Sequence, residues 1–174
     1  MTSPVVLCPN SDGLLPLSLQ RLMERFPHGV KASLTIAEPQ LSRLAEASIS
    51  LLEPLAVSMA FDGQGQLELS FHAVVRSECL RCRKPVDRRL ELSPAVLLFE
   101  TAQEADSAMM SDPDVDAIST QDQRGIAELV EDEIFLEMGH GFAHAECQAT
   151  VEAQTNRPNP FQDLAHLLSM KKPS

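Results

Sequence analysis

Alternating apolar and polar positions predict a β-hairpin near the middle of the chain. In "PLAVSMAF" every second residue is apolar, and after the turn sequence "DGQGQ" the alternation resumes in "LELSFHAVV". A period of two places one set of side chains on a single face of a strand, and glycine-containing turns join antiparallel neighbours. The pattern therefore predicts strands over residues 55–61 and 67–75, with one face of the second strand exposed to water.

Two shorter patterns continue the predicted sheet. An alternation follows Pro85 and stops at Pro94, and "AVLLFE" (95–100) is a compact apolar run. We predict a further strand in each. The sequence "RSECLRCRKPVDRR" (76–89) therefore contains a turn between two strands.

Helical periodicity appears in four other segments. Apolar residues at a spacing of three and four form one face of a helix. The last segment also offers Asn159 as an N-cap and Pro160 in the first turn. The segments are 19–26, 39–45, 126–138 and the tail 157–174.

The pattern as a whole indicates an α+β fold in a single domain over residues 1–174. We expect an antiparallel sheet of about five strands, open or barrel-like, with helices packed against it. Residues 101–122 are small, polar and acidic without clear periodicity, and they predict a mobile acidic loop. Residues 157–174 predict an amphipathic tail helix.

Charge is distributed unevenly along the chain. Its net charge is −11, yet residues 100–137 alone hold twelve Asp and Glu against Arg124, and the remainder is balanced. Residues 76–89 hold six basic and two acidic residues, a local charge of +4. An acidic protein ordinarily lacks the electropositive surface that phosphate contacts need. The local basic segment keeps nucleic-acid binding among the alternatives.

The sequence shows no membrane or export signal. No stretch approaches the roughly 20 apolar residues of a membrane span, and the first residues lack the basic and apolar regions of a signal peptide. We expect a cytoplasmic protein without a membrane partner. In that compartment, the four cysteines are more consistent with free thiols or metal ligands than with a disulfide framework.

Two pairs of potential metal ligands lie far apart in the sequence. A C-x-x-C pair stands on the predicted turn, and "HAEC" repeats the two-residue spacing beyond the helix at 126–138. That spacing lets both members of a pair converge on a tetrahedral ion, and three thiolates with one imidazole suit structural zinc. The candidate zinc ligands are Cys79, Cys82, His144 and Cys147.

Other interpretations of these residues stay open. The cysteines are equally compatible with unligated, partly buried thiols, with His144 at the surface. A redox dithiol is less favoured, because thioredoxin-like motifs open a helix, whereas Pro85 and a strand pattern follow here. Cys8 stands alone and carries no assignment.

The basic residues around the turn are candidate contacts for RNA phosphates. Long cationic side chains on a protruding turn reach phosphates without burying backbone. The alternative is a solvated patch that pairs with the protein's own acidic segment. The chain has no Trp or Tyr, and none of its seven Phe lies among the basic residues, so base stacking is not indicated. The six residues are Arg76, Arg81, Arg83, Lys84, Arg88 and Arg89.

Signatures of catalysis are missing from the sequence. It contains no nucleophile elbow, glycine-rich phosphate loop or H-E-x-x-H motif. Four acidic residues of the helix at 126–138 could chelate Mg²⁺, but a solvated helix face is the better interpretation of such a charge run. These are Glu128, Glu131, Asp132 and Glu133. We expect no catalytic activity and assign no catalytic residue.

Four blocks of the sequence resemble the bacterial YceD family, the large ribosomal RNA subunit accumulation proteins. They are, in order, "ECLRCRKPV" (78–86), "LVEDEIFLEM" (129–138), "HAEC" (144–147) and "RPNPFQDLAHL" (157–167). The resemblance covers most of residues 40–170. It implies a cytoplasmic, non-enzymatic factor needed for the synthesis, processing or stability of 23S ribosomal RNA in large ribosomal subunit biogenesis.

Three functional hypotheses follow. The first partner to expect is ribosomal RNA or a pre-50S particle, contacted through the six basic residues. The second hypothesis is an adaptor whose acidic segment at 100–137 binds a basic ribosomal protein without touching RNA. The third is a zinc-binding regulatory protein.

Overall fold

A single mixed sheet dominates the computed structural model, which describes residues 5–6, 14–15, 17–139 and 141–147. Within these residues eight strands form one sheet in the order β1-β2-β4-β5-β7-β8, with β3 and β6 also paired to β5. The outermost pairs, β1 with β2 and β7 with β8, are parallel, and the others are antiparallel. The strands are β1 (Val5–Val6), β2 (Val30–Ile36), β3 (Ser50–Leu51), β4 (Leu55–Phe61), β5 (Gln66–Glu78), β6 (Pro85–Leu92), β7 (Ala95–Phe99) and β8 (Asp116–Ser119).

The sheet is built around β5. This strand has 13 residues, and two shorter strands in succession cover each of its edges. Phe71 pairs with Val57 of β4 on one side and with Leu92 of β6 on the other, so β3 and β4 share one edge while β6 and β7 share the opposite edge. Pro54 and Pro94 lie at the two breaks, where proline cannot donate a ladder hydrogen bond. One long strand thus carries the turn at residues 79–84 at its end.

The hydrophobic core lies on one face of this sheet. Buried and exposed residues alternate along β2 and along most of β5, so one face meets the helices and the other meets water. From the helices, Leu19, Leu22, Ile126 and Ile134 join the same buried cluster as the strands. The helices are α1 (Leu19–Arg25), α2 (Ser42–Glu46), α3 (Ala102–Ser111) and α4 (Ile126–Met138).

The predicted α+β class is confirmed, with two differences in the sheet. Its path is open, so the barrel-like alternative is wrong, and it is mixed with more strands than the five expected. The predicted strands correspond to β4, β5, β6 and β7, and the predicted helices to α1, α2 and α4. α4 ends at Met138, and Gly139 follows it with a φ of 53° and a ψ of −118°, a backbone conformation that glycine adopts without the steric cost of a Cβ.

The acidic loop predicted at residues 101–122 is wrong. The segment forms α3, β8 and a 3-10 turn over Thr120–Asp122. A capping box starts α3: the Thr101 hydroxyl accepts the Glu104 N–H at 3.3 Å, and the Glu104 carboxylate accepts the Thr101 N–H at 3.1 Å. These bonds satisfy backbone donors at the start of a helix whose buried side chain is Ala105. Such a small apolar contribution leaves almost no helical stripe in the sequence.

The acidic face of α4 is not simply solvated, contrary to the sequence interpretation. Glu131 is 2% exposed, and its Oε1 accepts the backbone N–H groups of Arg43 at 2.8 Å and Leu44 at 3.2 Å. These amides belong to the first turn of α2, which has no side-chain cap of its own. Glu131 therefore caps α2 from another helix, and Asp132 adds ion pairs with Arg43 and Arg124.

Within the described ranges, no helix is long and apolar enough to cross a membrane. The predicted tail helix at 157–174 and Cys8 lie outside the described residues.

Candidate metal centre and basic turn

The first two candidate ligands lie on the turn between β5 and β6, as predicted. The Arg83 N–H donates to the Cys79 carbonyl at 3.0 Å, and the Cys79 N–H donates to the Lys84 carbonyl at 2.9 Å. Arg83 closes the turn with a φ of 61°. Strands, and no helix, flank the C-x-x-C pair, which removes the structural context of a thioredoxin-like dithiol.

The second pair is brought to the same place by the chain reversal after α4. Gly139 and Gly141 both have positive φ, and the Leu80 N–H donates to the Phe142 carbonyl at 3.0 Å. A Cβ on Gly141 would lie 3.1 Å from the Leu80 side chain, so the segment passes close over the turn. This contact fixes His144 and Cys147 beside Cys82.

The four candidate ligands converge as the sequence spacing predicted. Their ligand atoms all lie within 4.8 Å of one another, and Cys82 Sγ is 3.4 Å from His144 Nδ1. Cys79 is fully buried. Tetrahedral zinc with Zn–S bonds of about 2.3 Å places its sulfurs about 3.8 Å apart, so only a small contraction is needed. Three sulfurs and one imidazole are the donor set of a structural zinc site.

A backbone carbonyl determines which nitrogen of His144 can bind metal. His144 Nε2 lies 3.0 Å from the Pro85 carbonyl oxygen. A carbonyl oxygen only accepts, so in the neutral ring Nε2 carries the hydrogen and Nδ1 presents its lone pair towards Cys82. Metal-binding histidines commonly donate their second N–H in this way, which fixes the ring and increases its basicity.

The surroundings of the sulfurs favour one thiolate strongly. The Cys82 N–H points at the Cys79 sulfur and lowers the Cys79 pKa to about 5, with help from the N–H groups of Arg81 and His144 and against the effect of burial. Burial raises the pKa of Cys147 to about 11, and the sulfurs of Cys82 and Cys79 add to that rise. Three adjacent thiolates repel one another, and a divalent cation at their centre removes that penalty.

All six predicted RNA-contacting residues are exposed, but they differ in their partners. Arg76 forms a two-point ion pair with Asp87, at 2.7 and 2.8 Å. Arg83 lies 3.4 Å from Glu78, and the Arg88 guanidinium lies 5.2 Å from the centre of the Phe142 ring. Among the described residues Arg81, Lys84, Arg88 and Arg89 have no ion-pair partner. The local surplus of four positive charges therefore remains available.

The acidic segment does not neutralise this turn. Its ion pairs within the described part of the chain go from Asp122 and Asp132 to Arg43 and Arg124. α3 and β8 pack with β7, and β7 pairs with the first residues of β5. The basic turn follows the last residue of β5, at the opposite end of that strand. The alternative in which the basic turn pairs with the acids at 100–137 is therefore not observed among the described residues.

Three supporting groups at the site escaped the sequence interpretation. They are the Pro85 carbonyl that orients His144, Gly141 that permits the close approach of Leu80, and Phe142 that lies under Arg88. A backbone carbonyl gives no sequence signal. Gly141 and Phe142 stand between two of the four sequence blocks, but nothing in their spacing indicates what they contact.

No family model, curated protein or solved structure matches this chain.

Proposed function

We propose that this chain is a non-enzymatic factor in large ribosomal subunit biogenesis that contacts ribosomal RNA through its basic turn and supports the accumulation of 23S RNA. The observation that carries the proposal is the group of exposed cationic side chains without ion-pair partners at the end of the β5–β6 hairpin. Phosphates are the ligands that such a group attracts, and their counterions are released on binding.

The positions of the sequence blocks support the same proposal. Three of the four blocks that resemble the YceD family are neighbours in space. Met138 at the end of α4 shares a surface cavity with Glu78 and Leu80 of the first block, and His144 contacts Cys82. The fourth block, at 157–167, lies outside the described residues. Sequence features that resemble one family thus surround a single site.

A metal ion bound by the candidate zinc ligands would give this turn a structural role. Cys79 and Cys82 belong to the hairpin, and His144 and Cys147 belong to the segment after α4. A bound zinc ion would supply a crosslink between these two segments. Arg81 lies between the two turn cysteines and Arg83 follows them. The crosslink would therefore also restrain the backbone of these two arginines.

The test is a charge reversal in the turn with a matched control elsewhere. We expect the triple variant Arg81→Glu, Arg83→Glu, Lys84→Glu to lose co-sedimentation with pre-50S particles. The control reverses Arg21, Arg25 and Lys31, which are also exposed, and it changes the net charge equally. It should co-sediment like the wild type once thermal unfolding has shown that both variants fold. Unchanged co-sedimentation of the turn variant would mean that this site assignment is wrong.

A second candidate is the adaptor that binds a basic ribosomal protein. It is favoured by one observation: Glu104, Asp106, Asp112 and Asp114 form no ion pair with a basic residue in the described part of the chain. Deleting 101–122 would remove α3 and β8, so substitution is the sharper test. The adaptor hypothesis expects Asp106→Asn with Asp114→Asn to weaken binding to a purified basic large-subunit protein, with the turn reversal neutral. Our leading proposal expects the opposite order of effects on particle binding.

A further inference from the structure

The cationic side chains of the hairpin end lie on more than one of its surfaces. Residues paired directly across antiparallel strands share a face. Arg89 pairs with Val74, and Arg76 pairs with Asp87, which places both arginines on the open face of the sheet. Arg88 pairs with Val75, a buried residue, and therefore lies towards the face that the helices cover. Arg81, Arg83 and Lys84 extend from the turn itself.

The same region offers no platform for base stacking. The large apolar side chains exposed in the described part of the chain are leucines and methionines, with no aromatic residue among them. Phe142, the aromatic ring at the turn, is 7% exposed and lies beneath Arg88. Proteins that bind single strands gain roughly 1–3 kcal/mol per base from exposed aromatic rings. This hairpin lacks that source of affinity.

We propose that the hairpin end binds double-helical RNA, an inference that rests on the proposed RNA function and adds the class of RNA. Arg88 lies on the covered side of the hairpin but is itself exposed, and Arg89 lies on the open side. Both can contact phosphates simultaneously when the ligand presents a phosphate strand to each side of the hairpin end. A groove between two strands does so. The minor groove of A-form RNA is wide and shallow, and proteins recognise it by shape and by phosphate and 2′-hydroxyl contacts.

The hairpin end is also held in one arrangement before binding. Two backbone hydrogen bonds close the turn, and the Leu80 N–H joins it to the segment after α4. The two-point ion pair between Arg76 and Asp87 connects the strands just behind it. A pre-organised cationic end loses little conformational entropy on binding, which favours a regular and rigid ligand such as a duplex.

The test compares three labelled probes with the full chain purified in the presence of zinc. They are an RNA duplex of about 20 base pairs, one of its strands alone, and a DNA duplex of the same sequence. Fluorescence anisotropy should show binding to duplex RNA at least about tenfold tighter than to the single strand. With four available cations, log K should fall against log salt with a slope of about −3 to −4.

Variants on the two faces test insertion into a groove. Arg88→Gln and Arg89→Gln should each weaken duplex binding and reduce the salt slope by about one. A loss at only one of the two positions would overturn insertion in favour of one-sided contact. Because Arg88 packs on Phe142, Arg88→Lys serves as a second variant that keeps the charge and should keep the slope.

The outcomes separate this inference from the proposed function. Tighter binding to the single strand, or equal binding to duplex DNA, overturns the duplex RNA inference and leaves RNA contact in place. An absence of binding to all three probes overturns both.

Discussion

Arg83 occupies a backbone conformation that ordinarily selects glycine. Its φ is 61°, which costs a non-glycine residue roughly 1–2 kcal/mol. Its ion pair with Glu78 is exposed and 3.4 Å long, and such pairs contribute little stability. The arginine therefore brings strain without a matching gain to the fold. Its side chain is more readily explained by a partner outside the chain.

Replacing this arginine by glycine should separate stability from binding. We expect Arg83→Gly to leave the free energy of unfolding unchanged or raise it by up to about 1 kcal/mol, because the strain is relieved. Affinity for the RNA duplex should fall, because one cation is lost. Urea unfolding and fluorescence anisotropy measure the two effects.

Gln123→Gly is the matched control, since Gln123 also has a positive φ, of 54°. It lies just before the start of α4, whereas Arg83 lies near the end of that helix. It should change stability in the same direction without changing RNA affinity. If Arg83→Gly binds duplex RNA like the wild type, the explanation of its strain is wrong.

The second prediction concerns the zinc content of the chain and its dependence on single candidate ligands. We expect about one zinc ion per purified chain, and we expect Cys82→Ser to reduce that content strongly, because a hydroxyl does not replace a thiolate in such a site. Cys8→Ser, which removes the cysteine outside the predicted set, should retain zinc. Elemental analysis decides. A wild-type chain purified with zinc that holds none would remove the metal role of all four residues.

Acidification should release zinc, because it protonates the candidate ligands. Zinc ligands must be deprotonated, so protons compete with zinc as the pH falls. The amide contacts that lower the Cys79 pKa to about 5 keep that thiolate to lower pH, whereas the pKa of Cys147 is raised to about 11. We expect zinc occupancy, followed with a chromogenic chelator, to decrease on acidification. Occupancy that rises towards acid would contradict thiolate ligation.

At the scale of elements, one buried carboxylate joins two helices. α2 has five residues and no side-chain cap, and Glu131 of α4 supplies the missing acceptor from 87 and 88 positions away in the sequence. A helix this short depends on such tertiary support. The acidic run of α4, interpreted from the sequence as a solvated face, therefore also contains a buried carboxylate that caps α2.

Removing that acceptor should destabilise the fold measurably. We expect Glu131→Ala to lower the free energy of unfolding by about 2–3 kcal/mol, because two buried N–H groups lose a charged acceptor. Glu137→Ala, at an exposed position on the same helix, should change it by less than about 0.5 kcal/mol. Urea denaturation of both variants gives the comparison. Equal effects would mean that Glu131 does not cap α2.

The elements found from the sequence are those with a strong local period. β4, β5 and α4 have alternation or a helical stripe, and β2 shows alternation at Val30, Ala32, Leu34 and Ile36 that the sequence prediction passed over. α3 gave no stripe because its buried side chain is Ala105. The pairing of β8 with β7 and the capping by Glu131 depend on which distant segments become neighbours. The repeated two-residue spacing identified the Cys/His cluster, whereas the carbonyl that orients His144 had no sequence signal.

At the scale of the whole molecule, β5 separates the charged segments. α3 and β8 are associated through β7 with residues 66–68, and the basic turn follows residue 78. At about 3.3 Å per residue the strand spans about 40 Å, several times the screening length at physiological salt. The acids of α3 and β8 are therefore screened from the basic turn, and this separation of charge would direct the basic end towards a phosphate-rich surface.

The most direct test of RNA contact by the basic turn is ultraviolet crosslinking in cells, followed by sequencing of the attached RNA and mass spectrometry of the attached peptides. Our proposal predicts crosslinks to 23S ribosomal RNA at peptides from residues 76–89, lost in the Arg81→Glu, Arg83→Glu, Lys84→Glu variant. Recovery of a basic ribosomal protein attached through residues 101–122, without ribosomal RNA above background, would contradict it.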